Sequence, residues 1–124
     1  MLREVDLSGN EISDVPTQLS GFPALEKIVL DNNKIRDRNV FVTLSRIRHM
    51  REVSLAYNFL DAVPEYACSE GSFRTLEALD LSFNYISREE DVWALPRLER
   101  LETLILYGNP LLGPTGEDQL QVRE

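Results

Sequence analysis

A fivefold internal repeat is the feature that most constrains the fold of this chain. The segments LREVDLSGNEI, LEKIVLDNNKI, MREVSLAYNFL, LEALDLSFNYI and LETLILYGNPL align without gaps, and they begin at Leu2, Leu25, Met50, Leu76 and Leu101. Each segment has Asn in its ninth position and apolar residues in positions one, four, six and eleven. Successive segments begin 23, 25, 26 and 25 residues apart. Self-similarity at this period predicts a solenoid in which each repeat stacks on its neighbours.

Positions three to seven of each repeat are typical of a short strand, because they place apolar residues on one face and other residues on the opposite face. The inward-facing pairs are Val5 and Leu7, Ile28 and Leu30, Val53 and Leu55, Leu79 and Leu81, and Leu104 and Leu106. A single repeat cannot bury such a pair, so we expect five strands to join in parallel over one shared core. Positions three, five and seven are then expected on the concave face, and position seven is occupied by Ser8, Asp31, Ala56, Ser82 and Tyr107.

The segments between the strands predict what covers the convex face. Residues 36–49 place Phe41, Leu44 and Ile47 at helical spacing. A second short helix is expected from Ser87 and Glu90, which form an S-x-x-E capping pattern, to Pro96. Residues 63–75 have no clear period, and we expect irregular or 3₁₀ structure with Phe73 in the core. The predicted fold class is therefore α/β, with a five-stranded parallel sheet on the concave face and short helices and irregular or 3₁₀ segments on the convex face.

The frame L-x-x-L-x-L-x-x-N-x-L resembles the leucine-rich repeat family over essentially the whole chain, which implies a right-handed solenoid. The repeat lengths and short helices resemble the intracellular repeats of the phosphatase-regulator and axonemal dynein light-chain type. The phrases FPALE, LDNN and SLAYN are also similar to the repeat region of the X-ray radiation resistance-associated family. These resemblances imply an intracellular scaffold and supply no catalytic residues.

The length of 124 residues predicts one domain, residues 1–124. Residues 112–124 leave the repeat frame, and Leu120 and Val122 are candidates for a partial cap. At the other end Leu2, Val5 and Leu7 lack an upstream repeat to cover them, so we expect a fragment of a longer chain or a domain capped by a partner.

Composition narrows the location and the partners. The chain has no apolar run of about 20 residues and no apolar signal-peptide segment, so a membrane is not an expected partner. A single cysteine and the absence of an N-x-[ST] site fit a reducing, intracellular compartment, with cytoplasm, cilium or axoneme, and nucleus as candidates. A net charge of −8 disfavours nucleic acid.

The repeated asparagines are interpreted as structural, because an amide can satisfy backbone groups where the chain turns after each strand. They form an expected ladder of Asn10, Asn33, Asn58, Asn84 and Asn109. His49 has no nucleophile at a motif spacing, and Cys68 is interpreted as an inert thiol in a loop. The sequence contains no metal-binding or phosphate-binding motif. We therefore expect no enzyme activity, metal or cofactor.

Two surface clusters are candidates for binding protein partners. The first is apolar: Tyr57, Phe59, Phe83, Tyr85, Ile105 and Tyr107. Its aromatic rings either pack on one another along the bend or stay exposed as a binding ridge that takes a helix or an extended peptide on the concave face or rim. The second is basic: Lys34, Arg36, Arg38, Arg46, Arg48 and Arg51. It is either a solvated helix face or a site for an acidic partner such as the glutamate-rich tail of tubulin.

The function that the sequence favours is that of a non-catalytic protein-interaction module. The leading hypothesis is a scaffold in a larger intracellular assembly, with ciliary and other cytoskeletal assemblies as candidates. The alternative is a regulatory subunit that docks on an enzyme such as a phosphatase.

Overall fold

The computed structural model describes residues 1–113. Five three-residue strands form one parallel sheet in chain order: β1 (Glu4–Asp6), β2 (Lys27–Val29), β3 (Glu52–Ser54), β4 (Ala78–Asp80) and β5 (Thr103–Ile105). The strands pair without any shift in register, so that the same position of each repeat lies side by side; Val5 pairs with Ile28, and Ile28 with Val53. The predicted five-stranded parallel sheet is confirmed, although each strand covers only positions three to five.

The strands are short because the backbone turns at position eight of every repeat. This position has a positive φ, between 56° and 79°, in all five repeats: Gly9, Asn32, Tyr57, Phe83 and Gly108. Pairing between repeats nevertheless continues through the turn. The N–H of Gly9 donates to the carbonyl of Asp31 at 3.0 Å, and the N–H of Tyr57 donates to that of Ser82 at 2.9 Å.

Position seven differs in exposure between repeats: Ser8 and Tyr107 are exposed and Asp31 is partly exposed, whereas Ala56 and Ser82 are only 5% and 7% exposed. The expectation that this position is open on the concave surface is therefore wrong for repeats three and four. The N–H of Ala56 donates to the carboxylate of Asp31 at 3.0 Å, and the Ser54 hydroxyl donates to the same oxygen at 2.6 Å. The acidic side chain is thus held by the next strand.

The convex face carries one helix and several 3₁₀ turns. Helix α1 (Asn39–Ser45) confirms the helix predicted within residues 36–49, and it buries Val40, Phe41 and Leu44. The 3₁₀ turns are Thr17–Gly21, Glu65–Cys68, Glu89–Asp91, Leu95–Arg97 and Pro110–Leu112. The predicted 3₁₀ structure in residues 63–75 is confirmed, and Phe73 lies in the core at 2% exposure.

The prediction of a helix from Ser87 to Pro96 is wrong. Two separate 3₁₀ turns occupy this segment, and the first is closed by Asp91 instead of Glu90. The Asp91 carboxylate accepts hydrogen bonds from the backbone N–H and the guanidinium of Arg88, both at 3.2 Å. Pro96 lies within the second turn, a position that tolerates proline because the first N–H groups of a helical turn have no partner within that turn.

The core lies between the sheet and the convex segments. Positions four and six of repeats two to five are at most 2% exposed, and Phe41, Met50 and Leu76 are fully buried beside them. In the first repeat Val5 and Leu7 are only partly buried, and Leu2 is 44% exposed. The cap residues proposed at the other end, Leu120 and Val122, lie outside the described residues. None of the helices in residues 1–113 is long and apolar enough to cross a bilayer.

Candidate protein-binding surfaces

In repeats two to five the asparagine that follows the strand links its own repeat to the repeat before it. The side-chain amide of Asn58 donates to the carbonyls of Leu55 and Leu30, both at 3.0 Å, and to that of Ala56 at 3.2 Å. Its oxygen accepts the N–H of Ile35 at 3.1 Å. Asn58 is 3% exposed, so these hydrogen bonds occupy its amide and leave little of it open to a ligand.

The other repeats show the same arrangement, which weakens at the first. Asn33, Asn84 and Asn109 are also buried, and each donates to carbonyls of its own and the preceding repeat. Asn10 is exposed, and among the residues that the structure describes its side-chain amide donates only to the carbonyls of Leu7 and Ser8 in its own repeat. The structure therefore gives these five side chains a role in holding the turn after each strand.

Aromatic side chains flank this ladder in two rows. In the first row the rings of Tyr57 and Phe83 stack with centroids 4.3 Å apart and planes 9° from parallel. Phe83 also meets Tyr107 edge to face, with centroids 5.3 Å apart. In the second row Phe59 stacks on Tyr85 at 5.7 Å, and the guanidinium carbon of Arg36 lies 5.7 Å from the centre of the Phe59 ring.

These rings are packed and exposed at the same time. Each makes a ring contact, yet their exposed fractions range from 36% for Phe83 and Tyr107 to 56% for Tyr85. We call this set, Tyr57, Phe59, Phe83, Tyr85 and Tyr107, the aromatic ridge. Both interpretations drawn from the sequence thus describe the same side chains, since mutual packing fixes the rings and leaves their outer faces in water.

A shallow trough runs between the two rows of the ridge. Asn58 lies in the trough between Tyr57 and Phe59, and the trough extends past Asn33 to Gly9 and Glu11 in the first repeats. Ile105 does not join it. That side chain lines the sheet groove with Val29, Ser54 and Asp80 instead, because it belongs to strand β5 and precedes the turn.

The six basic residues do not form one patch, which corrects the second expected cluster. Lys34 and Arg36 follow strand β2 and lie at the aromatic ridge, whereas Arg46 and Arg48 precede strand β3 and lie at the opposite rim. The sequence places them within 20 residues of one another, but the intervening return segment carries the chain from one end of the strands to the other.

The remaining two members, Arg38 and Arg51, are engaged in ion pairs. Arg38 donates to the Asp61 carboxylate at 2.8 Å, and this hydrogen bond holds the pKa of Asp61 below its ordinary value. Arg51 lies 3.2 Å from Glu77 and 3.8 Å from Glu26. Both arginines thus already have acidic neighbours within the chain.

Two basic residues that the sequence did not single out lie at the rim opposite the ridge. Arg74 and Arg100 line one cavity together with Arg46, Arg48 and His49. An alignment of the residues just before each repeat would have predicted this basic cluster. Arg48 and Arg74 lie two places before Met50 and Leu76. His49 and Arg100 lie one place before Met50 and Leu101.

The two residues tested for catalysis lie apart. His49 is exposed at the basic rim, while Cys68 is buried in a 3₁₀ turn, within the segment predicted to be irregular or 3₁₀. Burial raises the pKa of the Cys68 thiol to about 11, and the nearby Arg97 only partly opposes this. Within residues 1–113 no group of three or more His, Cys, Asp and Glu side chains is arranged to hold a metal ion.

In-register parallel strands, return segments on the convex face and an asparagine ladder define a leucine-rich-repeat solenoid, a class of protein-interaction module. Two family models match the chain: Leucine Rich repeats (2 copies) over residues 1–37 and Leucine Rich repeat over residues 74–89. A chain in the crystal structure of the Drosophila melanogaster SNF/U2A' complex superposes with a TM-score of 0.75 at 23% identity, covering 90% of this chain and 61% of that one. The chain is a leucine-rich repeat protein.

Curated relatives match over shorter parts of their own length. Tubulin-specific chaperone E of Xenopus laevis is 28% identical over 90% of this chain and 22% of the relative, and Tsukushi of Mus musculus is 31% identical over 89% and 30%. X-ray radiation resistance-associated protein 1 of Bos taurus is 40% identical over 43 residues, which is 35% of this chain and 8% of the relative. The chain therefore spans less than a third of the length of each of these relatives.

Proposed function

We propose that this chain is the docking module of an intracellular protein assembly, and that its partner binds the aromatic ridge on repeats three to five. The observation that carries the proposal is two neighbouring rows of aromatic side chains, five in all, in which each ring contacts another ring of its row and is still 36–56% exposed. Exposed aromatic rings whose positions are already fixed lose little conformational entropy on binding, and Tyr is enriched among residues that dominate binding energy.

The backbone beneath the ridge supports a role in binding. Tyr57 and Phe83 have φ values of 59° and 56°, in a left-handed region that is unfavourable for aromatic residues and costs on the order of 1 kcal/mol each. The same position holds Gly or Asn in the other three repeats, and these residues adopt that conformation more readily. Stacking between Tyr57 and Phe83 offsets part of this cost, and the result presents two rings at the surface.

The size of the sheet favours a slender partner. Five strands about 4.8 Å apart span roughly 24 Å, and three residues per strand make the sheet about 10 Å deep, so its surface is only a few hundred Å². This is small against the roughly 800 Å² that each partner buries in a standard interface. A helix or an extended segment that follows the trough would contact the ridge and, across the rim, the sheet groove at Ile105.

The proposed setting is cytoskeletal, with tubulin and other cytoskeletal proteins, including those of the cilium, as the partner class. The similarity to a tubulin-specific chaperone over 90% of this chain supports this choice. In such an assembly the module acts as a scaffold present in fixed proportion to its neighbours.

Cross-linking mass spectrometry on the full-length protein in its native cells tests the proposal. Cross-links from repeats three to five to one constant cytoskeletal neighbour are the expected result. Links to a soluble enzyme that come and go, together with altered activity of that enzyme on addition of the protein, would replace the scaffold with a regulatory subunit of an enzyme such as a phosphatase.

Substitutions then test whether that neighbour binds the aromatic ridge. Tyr85→Ala and Tyr107→Ala should each weaken capture of that neighbour by about tenfold or more, the loss expected for a hot-spot residue. Tyr66→Ala is the matched control, because Tyr66 is 51% exposed but lies in a convex 3₁₀ turn. Capture that is unchanged in both ridge variants would show that the partner binds elsewhere.

A further inference from the structure

A basic cavity lies on the rim opposite the aromatic ridge, where the return segments enter strands β3, β4 and β5. It has a volume of about 580 Å³ and is lined by four arginines and one histidine: Arg46, Arg48, Arg74, Arg100 and His49. Among residues 1–113 no Asp or Glu lines this cavity, although the chain has a net charge of −8. The cavity therefore concentrates positive charge on an acidic protein.

Within the described part of the chain, acidic residues do not engage the four arginines of this cavity. The six ion pairs of residues 1–113 involve Arg3, Arg38, Arg51, Arg88 and Arg97, and none of them includes an arginine of the cavity. A neighbouring cavity shares Arg74 and Arg100 as a wall and contains Glu70 and Glu99. These two carboxylates lie within the adjoining cavity but not close enough to pair with either guanidinium.

We propose that this cavity, which we call the basic cleft, binds a carboxylate-rich segment of a polypeptide. A guanidinium group presents a planar fork of N–H donors that matches a carboxylate, and pairing with a ligand would satisfy donors that the described residues leave without an acidic partner. The arginines come from three successive return segments, so the positive charge follows the axis of the solenoid. A linear ligand with several carboxylates fits this row better than a single small anion.

The surroundings of the cleft favour an acidic polypeptide over a nucleic acid. Proteins that bind single-stranded nucleic acid combine positive charge with aromatic rings on which the bases stack. No aromatic side chain in the described part of the chain lines the basic cleft, and the ridge lies at the opposite ends of the strands.

Fluorescence anisotropy with a labelled ten-residue glutamate peptide and the 124-residue chain tests the proposal. We expect saturable binding at about 20 mM salt that is lost by about 300 mM, because screening weakens exposed charge pairs. Arg74→Gln and Arg100→Gln should each weaken binding by roughly threefold to fivefold, and the double variant by about tenfold or more. A single-stranded oligonucleotide of equal length serves as the competing ligand.

Arg38→Gln is the matched control, because it removes the same charge from an arginine that is paired with Asp61 outside the cleft. It should leave peptide affinity within about 1.5-fold, and melting temperatures should show that all variants fold. Equal losses in the control and cleft variants, no saturable binding, or tighter binding of the oligonucleotide would each overturn the proposal. Because the cleft and the ridge lie on opposite rims, either of the two binding proposals can fail while the other holds.

Discussion

The ring of Phe83 lies directly over the backbone of Gly108 in the next repeat. A Cβ atom at residue 108 would be 2.5 Å from Cδ1 of that ring, a distance that real Cβ atoms essentially never show. Gly108 also has a φ of 79°, which side chains rarely adopt. Glycine at this position thus lets the ridge continue from Phe83 to Tyr107, since the ring occupies the space that a side chain would fill.

Replacing Gly108 with Ala should therefore destabilise the protein through two separate effects. The positive φ should cost about 1 kcal/mol, and the clash with Phe83 should bring the total loss in unfolding free energy to about 2 kcal/mol or more. Gly9→Ala is the matched control, because Gly9 has a φ of 69° and a Cβ added there would have no heavy atom of the described residues within 4 Å, apart from its chain neighbours. Urea unfolding of both variants measures the difference.

The clash has its own test in a double variant. In a Phe83→Ala background the additional loss from Gly108→Ala should fall to that of Gly9→Ala alone, because the ring that opposes the new Cβ is gone. If Gly108→Ala and Gly9→Ala lower the unfolding free energy equally in the wild-type background, the close packing of Phe83 on Gly108 contributes nothing to stability.

The fold was predictable because the same residue pattern occurs in five repeats. Positions four and six repeat in register, and this alone specified the strands, their parallel order and the core. The return segments were harder to predict, because their sequences differ between repeats. A pattern found in one return segment is therefore not supported by the same pattern in the others. Ser87 and Glu90 match a capping pattern, but the capping contact forms one residue later, between the backbone N–H of Arg88 and the carboxylate of Asp91.

The surfaces were less predictable than the fold, because they depend on distances between repeats. Tyr57 and Phe83 could be placed side by side from the repeat register, but their left-handed backbone and their exposure could not be read from residue types. The basic cleft depends on where the return segments end. Arg48 and Arg51 are near neighbours in the chain, yet Arg51 pairs with Glu77 and Glu26 while Arg48 lines the cleft.

The asparagine ladder predicts that a buried asparagine of an inner repeat contributes more to the unfolding free energy than the exposed asparagine of the first repeat. Asn58→Ala should lower the unfolding free energy by about 2 kcal/mol, because it leaves the buried Ile35 N–H without a partner. It also removes one of the two amide donors that the Leu30 and Leu55 carbonyls each have, while the amides of Asn33 and Asn84 still bind them. Asn10→Ala should cost about 1 kcal/mol or less, since Asn10 is exposed and water can replace it. Urea denaturation compares the two, and equal losses would contradict a stabilising role that depends on burial.

Tyr57 offers a way to separate stability from binding. Tyr57→Asn removes the stacked ring but introduces a residue that accepts the left-handed conformation, as Asn32 does at the same position of repeat two. Relief of backbone strain should offset the lost stacking, so the unfolding free energy should change by less than about 1 kcal/mol. Capture of the partner should still fall about tenfold. A strongly destabilised Tyr57→Asn, or one that captures the partner normally, would contradict the proposed role of the ring.

Cys68 predicts how stability responds to alkaline pH. Burial raises its pKa in the folded protein from an ordinary value of 9.0 to about 11. Below pH 9 the thiol is protonated in both states, and its contribution to stability is fully present. Between about pH 9 and 11 the unfolded chain loses this proton while the folded chain keeps it, so the unfolded state is favoured and stability falls as the pH rises.

Urea unfolding of the wild type and Cys68→Ala at pH 8, 9, 10 and 11 isolates this effect, because the lysine and tyrosine titrations are common to both proteins. Relative to its own value at pH 8, the wild type should lose about 2 kcal/mol more than the variant by about pH 11. Alanine is chosen over serine because it adds no buried hydroxyl that would need a partner. Curves that remain parallel over this range would show that the thiol titrates normally, and that the 3₁₀ turn of residues 65–68 opens to solvent far more readily than its burial indicates.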